Sequence, residues 1–260
     1  MPRSGSSWLG QIINSHPETD FRFQPLFSFE FQAKVDKAFA EFKIGKLLQD
    51  IFKTESEFLM QKSRIKEGSY PQFKKSQKKS FLAFKENSNL QRIDQILEQV
   101  NECVAIFLVR DPIKVIESWI SSPREFQHGL SISDEWNTAP SRNITANQFF
   151  GYQRWEYSTK EFQRLVIKYP KRTMIVSYED LVRDTLMITI RIFKFLGLEM
   201  ASSTSKFLTD STSLFEDNPY SVFRFSPKKQ LGPYNLSPDI VSEIQLATIR
   251  AGLEEYLLHK

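Results

Sequence analysis

Cys103-Val104-Ala105-Ile106-Phe107-Leu108-Val109, followed directly by Arg110-Asp111-Pro112, is the most telling stretch of this chain. A continuous apolar, partly β-branched run of this kind suits a strand buried on both faces of a parallel sheet. Asp111-Pro112 then opens a helix from Ile113 to Ser121, with Pro in its first turn and Asp just before it. Buried-type strands are also predicted at Phe81–Phe84 and Arg172–Ser177, with a short one at Phe21–Phe23 that Pro25 stops. Helices are predicted over residues 30–52, broken near Gly45, then over 54–66, 90–100, 146–168, 184–196 and 238–258. Gly197 is expected to end the fifth of these, and Ser237-Pro238 to start the last. Residues 122–145 and 200–236 read as loops. Strands alternating with helices give an α/β fold, expected as a single domain over residues 1–260 with a mainly parallel central sheet flanked by helices.

Composition narrows the function. The chain has 260 residues, 40% hydrophobic and 25% charged, which describes a globular protein rather than a disordered one. A net charge of +4 suits a small anionic ligand or an anionic polymer, and is too mild to imply nucleic acid. The single cysteine, Cys103, excludes an intramolecular disulfide. One Cys and three scattered His argue against a structural zinc site, and no metal is expected. With no secretory signal and no apolar run of about 18 residues, no membrane span is expected and the default is a soluble cytoplasmic protein.

Pro2-Arg3-Ser4-Gly5-Ser6-Ser7-Trp8-Leu9 is a hydroxyl-rich turn that opens an apolar helical pattern through Trp8, Leu9, Ile12 and Ile13. Such a turn presents free backbone N–H groups and the positive end of a helix dipole to an anion such as phosphate. Gly5 lets the backbone approach a ligand, Ser6 and Ser7 add hydroxyl donors, and Arg3 adds a fork of positive charge. An ordinary helix cap beside an arginine would explain the same residues. The paired glycines and lysine of a Walker A loop are missing, so Mg²⁺ and γ-phosphate chemistry is not indicated. Arg110 stands where open parallel sheets bind ligands, beyond a strand's carboxyl end, with Ser118 about two turns into the following helix. Arg can grip a phosphate at two points and Ser can add a third. Structural pairing of Arg110 with Asp111 or Glu117 is the alternative.

Together these stretches resemble the sulfotransferases that use 3′-phosphoadenosine 5′-phosphosulfate (PAPS). Residues 2–9 are similar to that family's 5′-phosphosulfate loop. Val109-Arg110-Asp111-Pro112 with Ser118 resembles its 3′-phosphate signature. Tyr178-Glu179-Asp180-Leu181 after the strand at 172–177 is similar to the segment whose Tyr approaches adenine. The resemblance covers residues 1–200 and leans toward the bacterial or carbohydrate-type branch. It implies a P-loop-like sulfotransferase fold, with PAPS as co-substrate and its product 3′-phosphoadenosine 5′-phosphate (PAP) as ligand. It also implies an acceptor hydroxyl, most naturally on a glycan. By the same resemblance Arg3, Ser4, Gly5, Ser6, Ser7, Trp8, Arg110, Ser118 and Tyr178 bind the nucleotide, and Lys228 and Lys229 could add phosphate contacts.

Sulfuryl transfer needs a neutralised leaving phosphate, an acceptor held in line and a base for its proton. Arg3 serves the first need, and Lys85, at a strand end where many family members carry Lys, could reach the bridging oxygen or sulfate. The family's usual base positions hold Gln24 and Asn87, neither of which takes a proton at neutral pH. Glu86 is the nearest ionisable candidate, ahead of Glu30, Asp20 and His128; each could equally be a solvated or paired residue. Two other functions stay open: a kinase-like enzyme, disfavoured by the missing Walker lysine, and a PAPS- or PAP-binding protein without turnover. Only Met1 precedes the phosphate-binding turn, where the family has a buried strand, so a missing first strand is expected, along with weak stability or PAP binding without it.

Overall fold

The computed structural model describes residues 1–77, 81–214, 218, 220–223 and 230–258. In chain order these form α1 (Ser6–Asn14), β1 (Thr19–Phe23), α2 (Gln32–Ala40), α3 (Ile44–Lys53), α4 (Lys62–Lys66) and β2 (Phe81–Lys85). A 3-10 turn (Leu90–Arg92) runs into α5 (Ile93–Gln99), followed by β3 (Ala105–Val109), α6 (Pro112–Ile120), α7 (Ile132–Glu135), α8 (Gly151–Lys168) and β4 (Thr173–Ser177). The remainder is α9 (Tyr178–Arg183), α10 (Thr185–Leu196), α11 (Ser202–Ser213), α12 (Pro238–Arg250) and a 3-10 turn (Glu254–Tyr256). The fold is α/β, with parallel strands flanked by helices. Among the described residues the strands pair as β1 with β2, from Thr19↔Phe81 to Phe23↔Lys85, and as β3 with β4, from Ala105↔Thr173 to Val109↔Ser177.

The chain divides into two compact units. The first comprises Met1–Gly5, Ala105–Asp184 and Ser226–Lys260. Here α8 and α9 pack on β4, while α8 and α12 pack on α6. Phe107 of β3 stacks on Phe162 of α8 with ring centroids 4.5 Å apart, and Trp119 and Trp155 are buried in the same unit. The second unit comprises Ser6–Val104 and Thr185–Phe225, with β1 and β2 under α1. Its core gathers Leu26, Phe31, Phe39, Ile44, Ile51 and Ile96. Arg22 is buried there with Asp20, and it also donates to the carbonyls of Ile51, Phe52 and Thr54 at the end of α3.

Several predicted elements differ from those observed: the loop expected over 122–145 contains α7, and the helix expected from 146 begins at Gly151. The helix over 30–52 breaks at Glu41–Lys43, before Gly45, where Phe42 takes a left-handed φ of 56°. The helix expected over 54–66 is reduced to α4. The Leu59 carbonyl accepts the Phe23 N–H of β1 at 2.8 Å, and Gln61 is left-handed at φ 55°, so the helix cannot propagate through them. The loop expected over 200–236 contains α11, a Ser- and Thr-rich helix that propensity disfavours. Its buried face of Thr204, Phe207, Leu208 and Ser211 packs on α1, and tertiary burial overrides propensity. The last helix stops at Arg250 rather than 258. Gly252, at φ 70°, donates to the Ile249 carbonyl and Leu253 to that of Thr248, a Schellman end that needs a residue tolerant of the left-handed region.

Candidate active site

In the first unit, β3 delivers Arg110 to the turn before α6. Asp111 caps that helix by accepting from Lys114 N at 2.9 Å, as Asp before Pro predicts. Arg110 is 7% exposed. Its Nη1 donates to the Arg3 carbonyl at 2.9 Å, and its Nη2 donates to Gln230 Oε1 at 2.7 Å. Its guanidinium lies 4.6 Å from the Tyr178 ring centroid. Arg3 in turn donates from Nε to Ser118 Oγ at 3.2 Å and pairs with Glu125 at 3.5 Å. Arg3, Arg110, Ser118 and Tyr178, chosen from three separate stretches of sequence, therefore meet in one unit.

The turn itself is strained. Arg3 has φ 63°, a region that costs a non-glycine residue about 1–3 kcal/mol. Gly5 has φ 86°, and a Cβ there would lie 2.3 Å from Tyr178 Cε2. Glycine is thus required by the tyrosine ring packed against it as well as by any ligand. Ser4 is fully buried, and its hydroxyl meets no partner among the described residues; the same holds for Arg110 Nε.

A carboxylate shell surrounds the arginine. Glu179 accepts the Asp111 N–H at 3.0 Å, and burial pushes its carboxyl up to about 6 despite that bond and the nearby Arg110 charge. Asp111 is fully buried and raised by burial, while it accepts from Lys114 N, the Tyr234 hydroxyl and Leu258 N. Lys114, 1% exposed, bridges Glu117 at 2.9 Å and the Pro233 carbonyl at 2.7 Å, with its ammonium over the Tyr234 ring. Sequence reading missed Gln230, Tyr234, Glu125 and Trp155. Their partners lie up to 123 residues away, a separation that periodicity and motif spacing do not register.

In the second unit, Lys85 ends β2. Its Nζ sits 4.3 Å from the Phe23 ring centroid, and only 9% of the residue is exposed. With the Asn87 amide oriented so that its oxygen accepts from Lys85 Nζ at 3.0 Å, its nitrogen donates to Ser6 Oγ at 3.0 Å. The Glu86 carboxylate accepts three backbone N–H groups, Leu26 on Oε2 and Asn87 and Ser88 on Oε1. Burial pushes its carboxyl up to about 7, against those three bonds and the Lys85 charge. Of the other base candidates, Asp20 is held by Arg22 at 2.7 Å, Glu30 is exposed and accepts from Thr54, and His128 is exposed. Gln24 has φ 47° and donates its N–H to the Lys85 carbonyl. Ser7 lies half-buried in the first turn of α1. Trp8 is buried and donates to Ser211 Oγ at 3.1 Å, so its ring belongs to the α1–α11 contact. Lys228 and Lys229 lie outside the described residues. Among the described residues no three His, Cys, Asp or Glu side chains gather as a metal-binding group, and no helix is long and apolar enough to cross a membrane.

Comparison with known proteins gives these groupings a lineage. Residues 1–202 match a family described as the sulfotransferase family. A mouse sulfotransferase, SULT7A1, solved in complex with PAP, superposes with a TM-score of 0.57 at 14% identity, covering 98% of this chain and 85% of that one. The sulfotransferase domain from the curacin biosynthetic pathway gives 0.51 at 18% identity, over 96% and 94% of the two chains. The domain from the Synechococcus PCC 7002 olefin synthase gives 0.50 at 17%, over 96% and 90%. At these identities the likeness is one of fold. No curated protein sequence matches. With the family match spanning most of its length and the signature arginines and Ser118 drawn together, the chain belongs to the sulfotransferase family.

Proposed function

We propose that the chain transfers a sulfuryl group from PAPS to an acceptor hydroxyl on a carbohydrate. The observation that carries this reading is the cluster of Arg3, Arg110, Ser118 and Tyr178. Its buried Arg110 Nε and Ser4 Oγ meet no partner among the described residues. Buried polar atoms cost stability unless they are paired, so donors left in this state suit an anionic ligand. These residues therefore fit the phosphates of PAPS, and a mouse sulfotransferase of similar fold is solved with PAP.

PAPS supplies the sulfuryl group and leaves as PAP. In this reading Arg110 and Ser118 bind the 3′-phosphate, Tyr178 faces the base, and Arg3 with the Ser4–Ser7 donors binds the 5′ side. Lys85 donates to the oxygens around the transferring group. Glu86 Oε2, which accepts one backbone N–H and retains a lone pair, takes the acceptor's proton; a carboxyl raised to about 7 suits a base working near neutrality. This reading calls on no metal. The proposed compartment is the cytoplasm, in keeping with the single cysteine.

A second reading, a PAP-binding protein without turnover, is favoured by one observation: both Glu86 oxygens already hold the backbone, and Asn87 replaces a basic side chain. Transfer from ³⁵S-labelled PAPS to pooled acceptors, run beside PAP binding, separates the two. Label on a glycan supports the proposal; binding without label supports the second reading; neither rules out both.

A further inference from the structure

The side edge of an arginine, Nε–H beside Nη2–H, is a two-pronged donor shaped for two oxygens of one anion. At Arg110 this edge is half used. Nη2 donates to the Gln230 amide oxygen at 2.7 Å, while Nε is buried with no acceptor among the described residues. One neutral oxygen thus holds a fork built for two charged ones. Gln230 is also kept nearby by its neighbours. Pro233 is tied through its carbonyl to buried Lys114, and Tyr234 through its hydroxyl to buried Asp111. Releasing Gln230 from Arg110 therefore requires only a side-chain rotation.

We propose that Gln230 tunes the affinity for a 3′-phosphate: it is an internal competitor that covers Arg110 until a ligand with that group displaces it. A phosphate offers oxygens to both prongs and carries charge, so it outcompetes the amide. A nucleotide lacking the 3′-phosphate has nothing to exchange for the broken Gln230 bond and leaves it in place. The inference rests on the proposed role of Arg110 in donor binding.

The test is calorimetric titration of PAP and AMP into the full chain, into Q230E and into Q230A. In Q230E a carboxylate fills both prongs, and PAP affinity falls about 10- to 100-fold, the scale of a charged hydrogen bond, while AMP affinity barely moves. In Q230A the competitor is gone and PAP affinity rises by about threefold or more. A PAP-to-AMP ratio unchanged in Q230E, or PAP weakened in Q230A, overturns the inference and leaves donor binding intact. Equal PAP and AMP affinity in the unaltered chain, unmoved by Arg110→Ala, overturns the donor-binding reading and this inference with it.

Discussion

The indole of Trp155 donates to the carbonyl of Arg110 at 2.9 Å, and the indole is buried at 1% exposure. Arg110 leaves β3 at that carbonyl, so α8 fixes the main chain from which the arginine projects. Trp155→Phe keeps most of the packing but leaves the carbonyl without its donor. It should lower stability by about 1–3 kcal/mol and weaken PAP binding. Chemical denaturation and PAP titration check this; an unchanged midpoint would show that the bond contributes nothing.

Arg110→Ala should weaken PAP by about 1.5–3 kcal/mol, and AMP, which lacks the 3′-phosphate, far less. Equal weakening of both ligands would remove the 3′-phosphate from Arg110.

Gly5→Ala places a methyl 2.3 Å from Tyr178 Cε2 and 2.5 Å from Cδ2, on a backbone at φ 86°. The ring must move off Arg110 or the turn must unwind. We expect a loss of about 1–3 kcal/mol and weaker PAP binding, read by thermal melting and titration. A variant that melts and binds like the parent would contradict the packing described.

Glu86→Gln should cut turnover about 10²–10⁴-fold with little change in PAP affinity. The amide also turns a donor toward backbone N–H groups that the carboxylate now accepts, so the melting curve must be recorded beside the rate. Unchanged turnover in a folded variant would dismiss Glu86 as the base.

Stability should fall as pH rises from the ordinary carboxyl range to near neutrality. Glu86 is raised from 4.5 to about 7 and Glu179 from 4.5 to about 6, and Asp111 is raised as well. Within that window the folded chain keeps protons that the unfolded chain has released. The contribution is therefore full below the window and lost as pH climbs through the folded values. His16 works the other way: burial lowers it below 6.5, so its share is present above 6.5 and lost as pH drops through the lowered value. Denaturant midpoints across this range, with Glu86→Gln as the flattened control, check the sign. A midpoint that climbs steadily toward neutrality would contradict it.

Local chemistry made part of this molecule legible. The apolar run before Arg110, the Asp-Pro helix start and the glycine after α10 each act within a few residues, and each stands where its sequence implied. Elements decided by distant partners were not legible. α11 forms because Trp8 of α1 and Ser15, just after that helix, bond to Ser211 and Thr204, against the weak helix propensity of its own residues. Residues 54–61 stay non-helical because β1 claims the Leu59 carbonyl. In the cluster, the motif residues could be named from their local motifs and the family resemblance, while Gln230, Tyr234 and Trp155 enter through bonds between remote segments.

The bond from Leu258 N to Asp111 spans 147 residues. On a ribosome, Asp111 emerges long before its last partner has been made. During that interval its buried carboxylate lacks the donors from Tyr234 and Leu258, and β3 and β4 can pair while the turn between β3 and α6 is still incomplete. The first unit, assembled from three separated stretches, thus reaches its finished form only after synthesis has passed residue 258.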